Sequence, residues 1–204
     1  MRRFAGLLVI PHTWGILVLG LSSYAAILTL RGLWLGPLLI DRYSFSLVDS
    51  GNVALALSVL ALFTPVLFGR LDPGISKRRR WIVVGALIMA VLFAVMAWVP
   101  HPALTVALMI AMGVAAGYGV LQYADVRASY PPEMIGRALS LYTMALFLGV
   151  SLMQWFTGVV AAWASNQGLE PYRMVLSTIA VWLALAALGF RFLPRSPLLT
   201  QDAP

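Results

Sequence analysis

The sequence predicts an all-α membrane protein with six transmembrane helices. Charged residues make up only 10% of the 204 residues, whereas a soluble domain has about a quarter. The mean hydropathy is +0.91, and long stretches without any formal charge alternate with short charged ones. A chain of this length supplies about six crossings of roughly 20 residues with short loops between them.

The helices follow from the stretches that lack formal charge, which are 4–30, 50–69, 81–124, 138–169 and 174–190. The third stretch is too long for one crossing and contains Pro100, His101 and Pro102, which predicts two helices joined by a tight turn. Residues 1–204 therefore form one domain, with a short cytoplasmic tail at 194–204. The helices are predicted near 13–37, 49–69, 81–99, 103–124, 137–163 and 172–193.

The first apolar stretch has a competing interpretation. It follows two arginines and reaches small residues at 23–25, so it also resembles a secretory signal peptide with its cleavage site. The uncharged stretch before Arg31 is longer than the apolar segment of an ordinary signal peptide. We therefore predict a transmembrane helix.

Lysine and arginine residues predict the orientation of the helices. If both termini are cytoplasmic, eleven of the fourteen lie on the cytoplasmic side, and Arg31, Arg42 and Arg173 lie on the outer side or in the outer half. This asymmetry is typical of short cytoplasmic loops. The stretch 69–80, which holds five of the fourteen, is thus predicted to be a cytoplasmic loop and not a nucleic-acid-binding patch.

Several kinds of chemistry are disfavoured by the residues present. The chain has no cysteine, and His12 and His101 lack the spacing of a metal site, so we expect neither a metal nor another cofactor. The carboxylates Asp72, Asp125 and Glu133 are scattered over predicted inner loops. Asp49 and Asp125 lie near the ends of spans, and we expect both to be solvated. No catalytic set is predicted, and we expect that the protein is not an enzyme.

Three stretches then resemble one bacterial branch of the major facilitator superfamily, in its C-terminal six-helix half. They are the RGLWLGP sequence at 31–37, the glycine, aspartate and basic cluster at 69–80, and the PPEMIGR sequence at 131–137, with Gln154, Trp155 and Gly158 following. The resemblance implies two three-helix inverted repeats, a transport activity and a place in the inner (plasma) membrane of a bacterial cell. Six spans are half of the family's usual twelve, and Asp72 stands three residues after Gly69 where the family has four.

The resemblance also implies that helices 1, 2, 4 and 5 line a cavity. Tyr24 and Arg31 are seven residues apart and share a face of helix 1. Arg31 either attracts an anionic solute or extends its side chain to the outer lipid headgroups, and both interpretations stay open. Candidate solute contacts on helices 4 and 5 are Gln122, Tyr123, Thr143 and Gln154, with interhelical hydrogen bonding as the alternative for Gln154.

A second set of residues resembles the gating loop of the family. It consists of Gly69, Asp72, Gly74 and Arg78, with Arg137 at the start of helix 5. The resemblance implies that Asp72 meets such a helix start in the opposite half, which for this chain is a second copy. The alternative is that Asp72 moderates the charge of its own basic neighbours.

Two functions agree with the sequence. The first is a half-size secondary transporter that moves a small solute, for which Arg31 suggests an anion, by alternating access, paired with a second copy or with a separate half-transporter. The second is a non-transporting six-helix subunit that packs against other membrane proteins in the lipid bilayer.

Reporter fusions test the orientation. Fusions at Arg80 and at His101 should report opposite sides of the membrane, with Arg80 on the cytoplasmic side, because the basic residues flank one set of loops. A periplasmic signal from the Arg80 fusion would contradict the orientation and the loop assignments together.

Overall fold

The computed structural model describes residues 6–201 and contains six helices that are long and apolar enough to cross a membrane. A short helix, α7 (Pro197–Gln201), follows them. No β-strand occurs within the described part of the chain. The predicted all-α membrane fold is confirmed. The six spans are α1 (Pro11–Tyr43), α2 (Leu47–Arg70), α3 (Ile75–Trp98), α4 (Pro102–Ala128), α5 (Pro132–Asn166) and α6 (Pro171–Phe192).

The pairing of the helices shows an inverted repeat. α1 packs mainly on α5, α4 packs on α2, and α3 and α6 pack on each other along their lengths. If α1, α2 and α3 are exchanged with α4, α5 and α6 in that order, the α1–α5 pair becomes the α4–α2 pair, and the α3–α6 pair is unchanged. The contacts thus have the internal two-fold symmetry of a six-helix unit built from two three-helix repeats.

The basic stretch after α2 folds differently from the predicted loop. Only residues 71–74 connect α2 to α3, and the basic run 77–80 forms the beginning of α3. Gly74 precedes the helix with a φ of 80°, a conformation that favours glycine, and its amide donates to the Asp72 Oδ1 atom at 3.0 Å. The prediction of a loop up to Arg80 was wrong, because charge marked this stretch as polar without showing that Arg78 and Arg79 are buried.

Two glycines allow the closest helix contacts. A Cβ atom on Gly149 of α5 would lie 2.2 Å from the carbonyl oxygen of Leu21 in α1. One on Gly117 of α4 would lie 2.7 Å from the carbonyl oxygen of Thr64 in α2. Packing through small residues substitutes for the hydrophobic effect inside a bilayer, where lipid tails are as apolar as the side chains.

Two of the spans are irregular near their middles. α1 contains a π-helical segment, Leu30–Trp34, three residues before Pro37, which cannot donate to the carbonyl of Leu33. α4 contains a 3₁₀ turn, Ala116–Tyr118, at its close approach to α2. Such irregularities within long helices often mark functional positions, and both of these contribute residues to the cavity described below.

The two ends of the bundle carry different polar contacts. At the end that holds the α2–α3 connection, which we call the basic end, the hydroxyls of Thr13 and Tyr130 are 2.7 Å apart. The residues after α6 also pack there, because the buried Ser196 donates to the Ser129 carbonyl at 2.8 Å. At the opposite end, a salt bridge of 3.3 Å between Arg42 and Glu170 joins α1 to the residue before α6.

Candidate functional site

A cavity of about 420 Å³ lies between α1, α2, α4 and α5, the four helices expected to line one. Met89 of α3 also lines the cavity, and the Tyr118 ring packs between the cavity and Gly85 of α3. Tyr24 and Tyr123 line the cavity, yet each is 39% exposed. The cavity therefore opens to the outside of the six-helix unit.

Four of the six predicted solute contacts line this cavity, namely Tyr24, Arg31, Gln122 and Tyr123. Arg31 lies in the π-helical segment of α1 and donates from Nη2 to the Ser58 Oγ atom of α2 at 2.8 Å. Ser58 in turn donates to the carbonyl of Ala54 at 2.8 Å. These hydrogen bonds hold the guanidinium group against α2 but provide no negative charge.

Gln122 lies at the centre of a polar group that spans α4 and α5. The Tyr142 hydroxyl donates to Gln122 Oε1 at 2.5 Å, and the rings of Tyr123 and Tyr142 meet edge to face at 5.0 Å between centroids. The Gln122 Nε2 group is buried and has no hydrogen-bond partner in the structure. A solute or a water molecule in the cavity would satisfy this donor, because a buried unpaired amide is unfavourable.

Sequence reasoning missed the tyrosines Tyr118 and Tyr142, which line the cavity and are almost fully buried. A signal was present for Tyr142, since a hydroxyl within an apolar span usually has a partner inside the protein, and the Tyr142 hydroxyl pairs with Gln122. Thr143 and Gln154, which were predicted to contact the solute, do not belong to the lining. Gln154 lies instead beside Gly32, whose added Cβ atom would be 3.8 Å from its Nε2 atom.

The predicted gating residues lie at the basic end. Asp72 forms a salt bridge with Arg78 at 2.7 Å, and Arg78 Nε is 3.1 Å from both carboxylate oxygens. Hydrogen bonds from Arg78 hold the pKa of the Asp72 carboxyl below its usual value, so the pair is ionised at neutral pH. Gly69 is the residue before the last one of α2, and Arg137 donates to the Glu133 carbonyl at 3.4 Å within α5.

Asp125 corrects an expectation from the sequence. It was predicted to be solvated near the end of a helix, but it is only 6% exposed. Arg78, Arg79 and Arg195 act on its charge from α3 and from the segment after α6. Arg78 also reaches the carbonyl of the neighbouring Ala124 at 3.4 Å. The position of Asp125 near the end of the helix predicted exposure to solvent, whereas the fold buries this side chain inside the bundle.

Arg79 ties the same region to α6. Its Nη2 atom donates to the carbonyls of Phe190 and Leu193, the latter at 2.6 Å, and its guanidinium group lies 4.6 Å from the centre of the Phe190 ring. A cation at the C-terminal end of a helix also interacts favourably with the helix dipole. Arg79 is buried and its Nε atom has no hydrogen-bond partner in the structure.

Within residues 6–201, no three histidine, aspartate or glutamate side chains come together in a way that could hold a metal ion. The cavity instead offers a guanidinium group, an amide and several phenols within an apolar surround. These groups suit the reversible binding of a small solute.

Six spans in two inverted repeats, with a cavity between four of the helices, define a multi-pass membrane protein of the secondary-transporter class. The family model of the Major Facilitator Superfamily matches residues 13–203, which is nearly the whole chain. The chain therefore belongs to this superfamily, and its six spans fit a half-size unit of such a transporter. None of the curated proteins compared with the chain matches it.

The buried carboxylate generates a stability prediction. Asp125→Asn should lower the free energy of unfolding by about 3 kcal/mol, because the buried Arg79 loses the carboxylate that acts on its charge, whereas Arg78 keeps its salt bridge to Asp72. Asp49→Asn is the matched control, since Asp49 is exposed in the first turn of α2, and it should cost less than about 1 kcal/mol. Denaturant unfolding in detergent measures both changes. Equal, small effects would show that Asp125 is not needed to balance the arginines.

Proposed function

We propose that the chain is a half-size unit of a secondary transporter that moves a small anionic solute through the cavity between α1, α2, α4 and α5 by alternating access. The observation that carries the proposal is the presence of Arg31 in this cavity together with Gln122 and the tyrosines. Membership of the Major Facilitator Superfamily supports a transport activity, and the charge of Arg31 supports an anionic solute.

Arg31 favours an anion because no carboxylate within residues 6–201 forms a salt bridge with it. The salt bridges among the described residues involve Arg42 and Arg78, and the hydrogen-bond partner of Arg31 is the neutral Ser58 hydroxyl. A cation in a membrane span without a counter-ion is unfavourable. An anionic group entering the cavity would offset that energy, while the apolar part of the solute would pack against Tyr24 and Leu146.

We further propose that a second six-helix unit covers the opening of the cavity. α2 is the least buried span, with 11% of its apolar window buried, and α5 follows with 33%. These two helices flank the cavity and expose large apolar side chains such as Phe63 and Phe147. A partner seated on both helices would close the cavity and cover this surface, as alternating access between two halves requires.

Substitution of Arg31 tests the solute site. Arg31→Ala should weaken the binding of the anion between roughly tenfold and a hundredfold, because a hydrogen bond to a charged group contributes about 1.5 to 3 kcal/mol. Arg31→Lys should retain part of the affinity. The measurement is a thermal-shift screen of purified protein against small mono- and dicarboxylates, followed by uptake of the best one into proteoliposomes.

Ser58→Ala is the control for this test, because it removes the neutral partner of Arg31 and keeps the cavity charge. It should bind the anion within about threefold of the natural protein. If Arg31→Ala and the natural protein transport the same anion equally well, the Arg31 side chain interacts with the outer lipid headgroups and not with the solute. If no solute shifts the natural protein, the transport proposal itself fails.

Cysteine cross-linking tests the second copy. Leu71→Cys and Gly136→Cys, placed in separate tagged copies, should form a disulfide-linked dimer on oxidation in membranes, because they adjoin Asp72 and Arg137 while leaving the Asp72–Arg78 pair intact. Leu71 is 49% exposed, and nothing lies within 4 Å of an added Cβ atom at Gly136. The chain has no native cysteine.

The two single-cysteine copies, each expressed alone, are the control and should give no heterotypic product. A cross-link would show that the partner is a second copy. Failure to cross-link, combined with a native mass that contains a different membrane protein, would point to a separate half-transporter or to the non-transporting subunit.

A further inference from the structure

We infer that the basic end of the α3–α6 pair binds the headgroup of an anionic phospholipid, with Arg191 and Arg195 as its principal contacts. This site lies on the pair of helices that takes little part in the cavity, and it is independent of the transport proposal.

The first step is an excess of positive charge where α3 meets the end of α6. Arg79 is buried there, and Arg191 and Arg195 lie close enough to act on its charge. The carboxylate that acts on Arg79 is Asp125, which also faces Arg78 and Arg195. Since Asp72 is taken up by Arg78, the arginines at this site outnumber the carboxylates.

The second step is the accessibility of the outer arginines. Arg191 and Arg195 are exposed, as is Arg80 at the start of α3, and none of the three forms a salt bridge within residues 6–201. The hydrogen bonds of Arg79 to Phe190 and Leu193 fix the backbone on which Arg191 and Arg195 stand. An anion at this position would therefore contact a fixed backbone segment that carries two exposed guanidinium groups, those of Arg191 and Arg195.

The third step identifies the anion as a lipid. The exposed faces of α3 and α6 continue away from these arginines as apolar side chains. On α3 they are Trp81, Val84 and Ile88, and on α6 they are Leu185, Leu188 and Phe192. A ligand that satisfies both regions has a negative head and long apolar chains, which is the chemistry of an anionic phospholipid.

Trp81 agrees with this position. It is 41% exposed and directly follows Arg80, as expected of a tryptophan at the boundary between the headgroups and the acyl chains. Phe192 is 79% exposed beside Arg191. The arginines are thus at the level of the headgroups, where a phosphate group lies within reach of a guanidinium group.

Native mass spectrometry of the full chain from nanodiscs provides the test. The natural protein should retain phosphatidylglycerol in preference to phosphatidylcholine. Arg191→Gln/Arg195→Gln should reduce this preference by roughly tenfold or more, since each guanidinium group would donate charge-assisted hydrogen bonds to the phosphate group of the bound lipid. Arg191→Lys/Arg195→Lys keeps both charges and should retain most of the preference.

Arg70→Gln/Arg127→Gln is the matched control. Both arginines are exposed and lie at the same end of the bundle, and their substitution removes the same net charge. Its preference should stay within twofold of the natural protein. Equal losses in the two glutamine doubles would overturn the site and leave only general attraction to a negative membrane. A natural protein without preference for phosphatidylglycerol would also overturn it.

A further arm separates the lipid from free phosphate. Excess inorganic phosphate should not displace phosphatidylglycerol from the natural protein, because the apolar chains contribute to its retention. Complete displacement would show a site for free phosphate and would contradict the lipid proposal. Circular dichroism of each variant checks that its helices are retained, and since Arg191 and Arg195 are exposed we expect them to be.

Discussion

The burial of Asp125 between arginines from two other segments is the interaction on which the basic end depends. Asp125 comes from α4, Arg78 and Arg79 from the start of α3, and Arg195 from the segment after α6. Asp125 and Arg79 are both buried, and a buried ion without an opposite charge nearby is unfavourable by several kcal/mol. Arg78 also pairs with Asp72, and Arg195 is exposed. The two buried charges on α4 and α3 therefore stabilise each other and favour one arrangement of these helices.

The same end of α4 links the charges to the cavity. Gln122 precedes Asp125 by almost one helical turn, and with Tyr142 it borders both the cavity and a much smaller void that reaches Asp125. A displacement of Gln122 would thus move side chains that lie next to Asp125. Interior packing transmits such displacements because it leaves little free volume.

The sequence was sufficient for the spans and insufficient for the polar contacts. Uncharged stretches identify helices because the bilayer core excludes both charges and unpaired backbone groups. The same reasoning misplaced Asp125 and the basic run 77–80. A charged residue near the end of a span can face solvent or another buried charge, and the sequence looks the same in both cases. Helix 5 shows a related limit. Thr143 lies beside Tyr142 in the sequence, yet only Tyr142 reaches the cavity, because adjacent residues of a helix point about 100° apart.

The two sides of the unit differ in what can cover them. On the α3–α6 side the exposed residues are apolar along the spans and basic at one end. Lipid chains therefore suit the apolar part of this surface, and lipid headgroups suit the arginines. On the α2–α5 side the apolar surface surrounds an opening lined by Arg31, Tyr24 and Tyr123. Lipid chains would leave these polar groups without partners, at a free-energy cost that water or polar protein groups would avoid. The asymmetry of the surface therefore agrees with the two proposals made above, lipid against α3 and α6 and a second six-helix unit against α2 and α5.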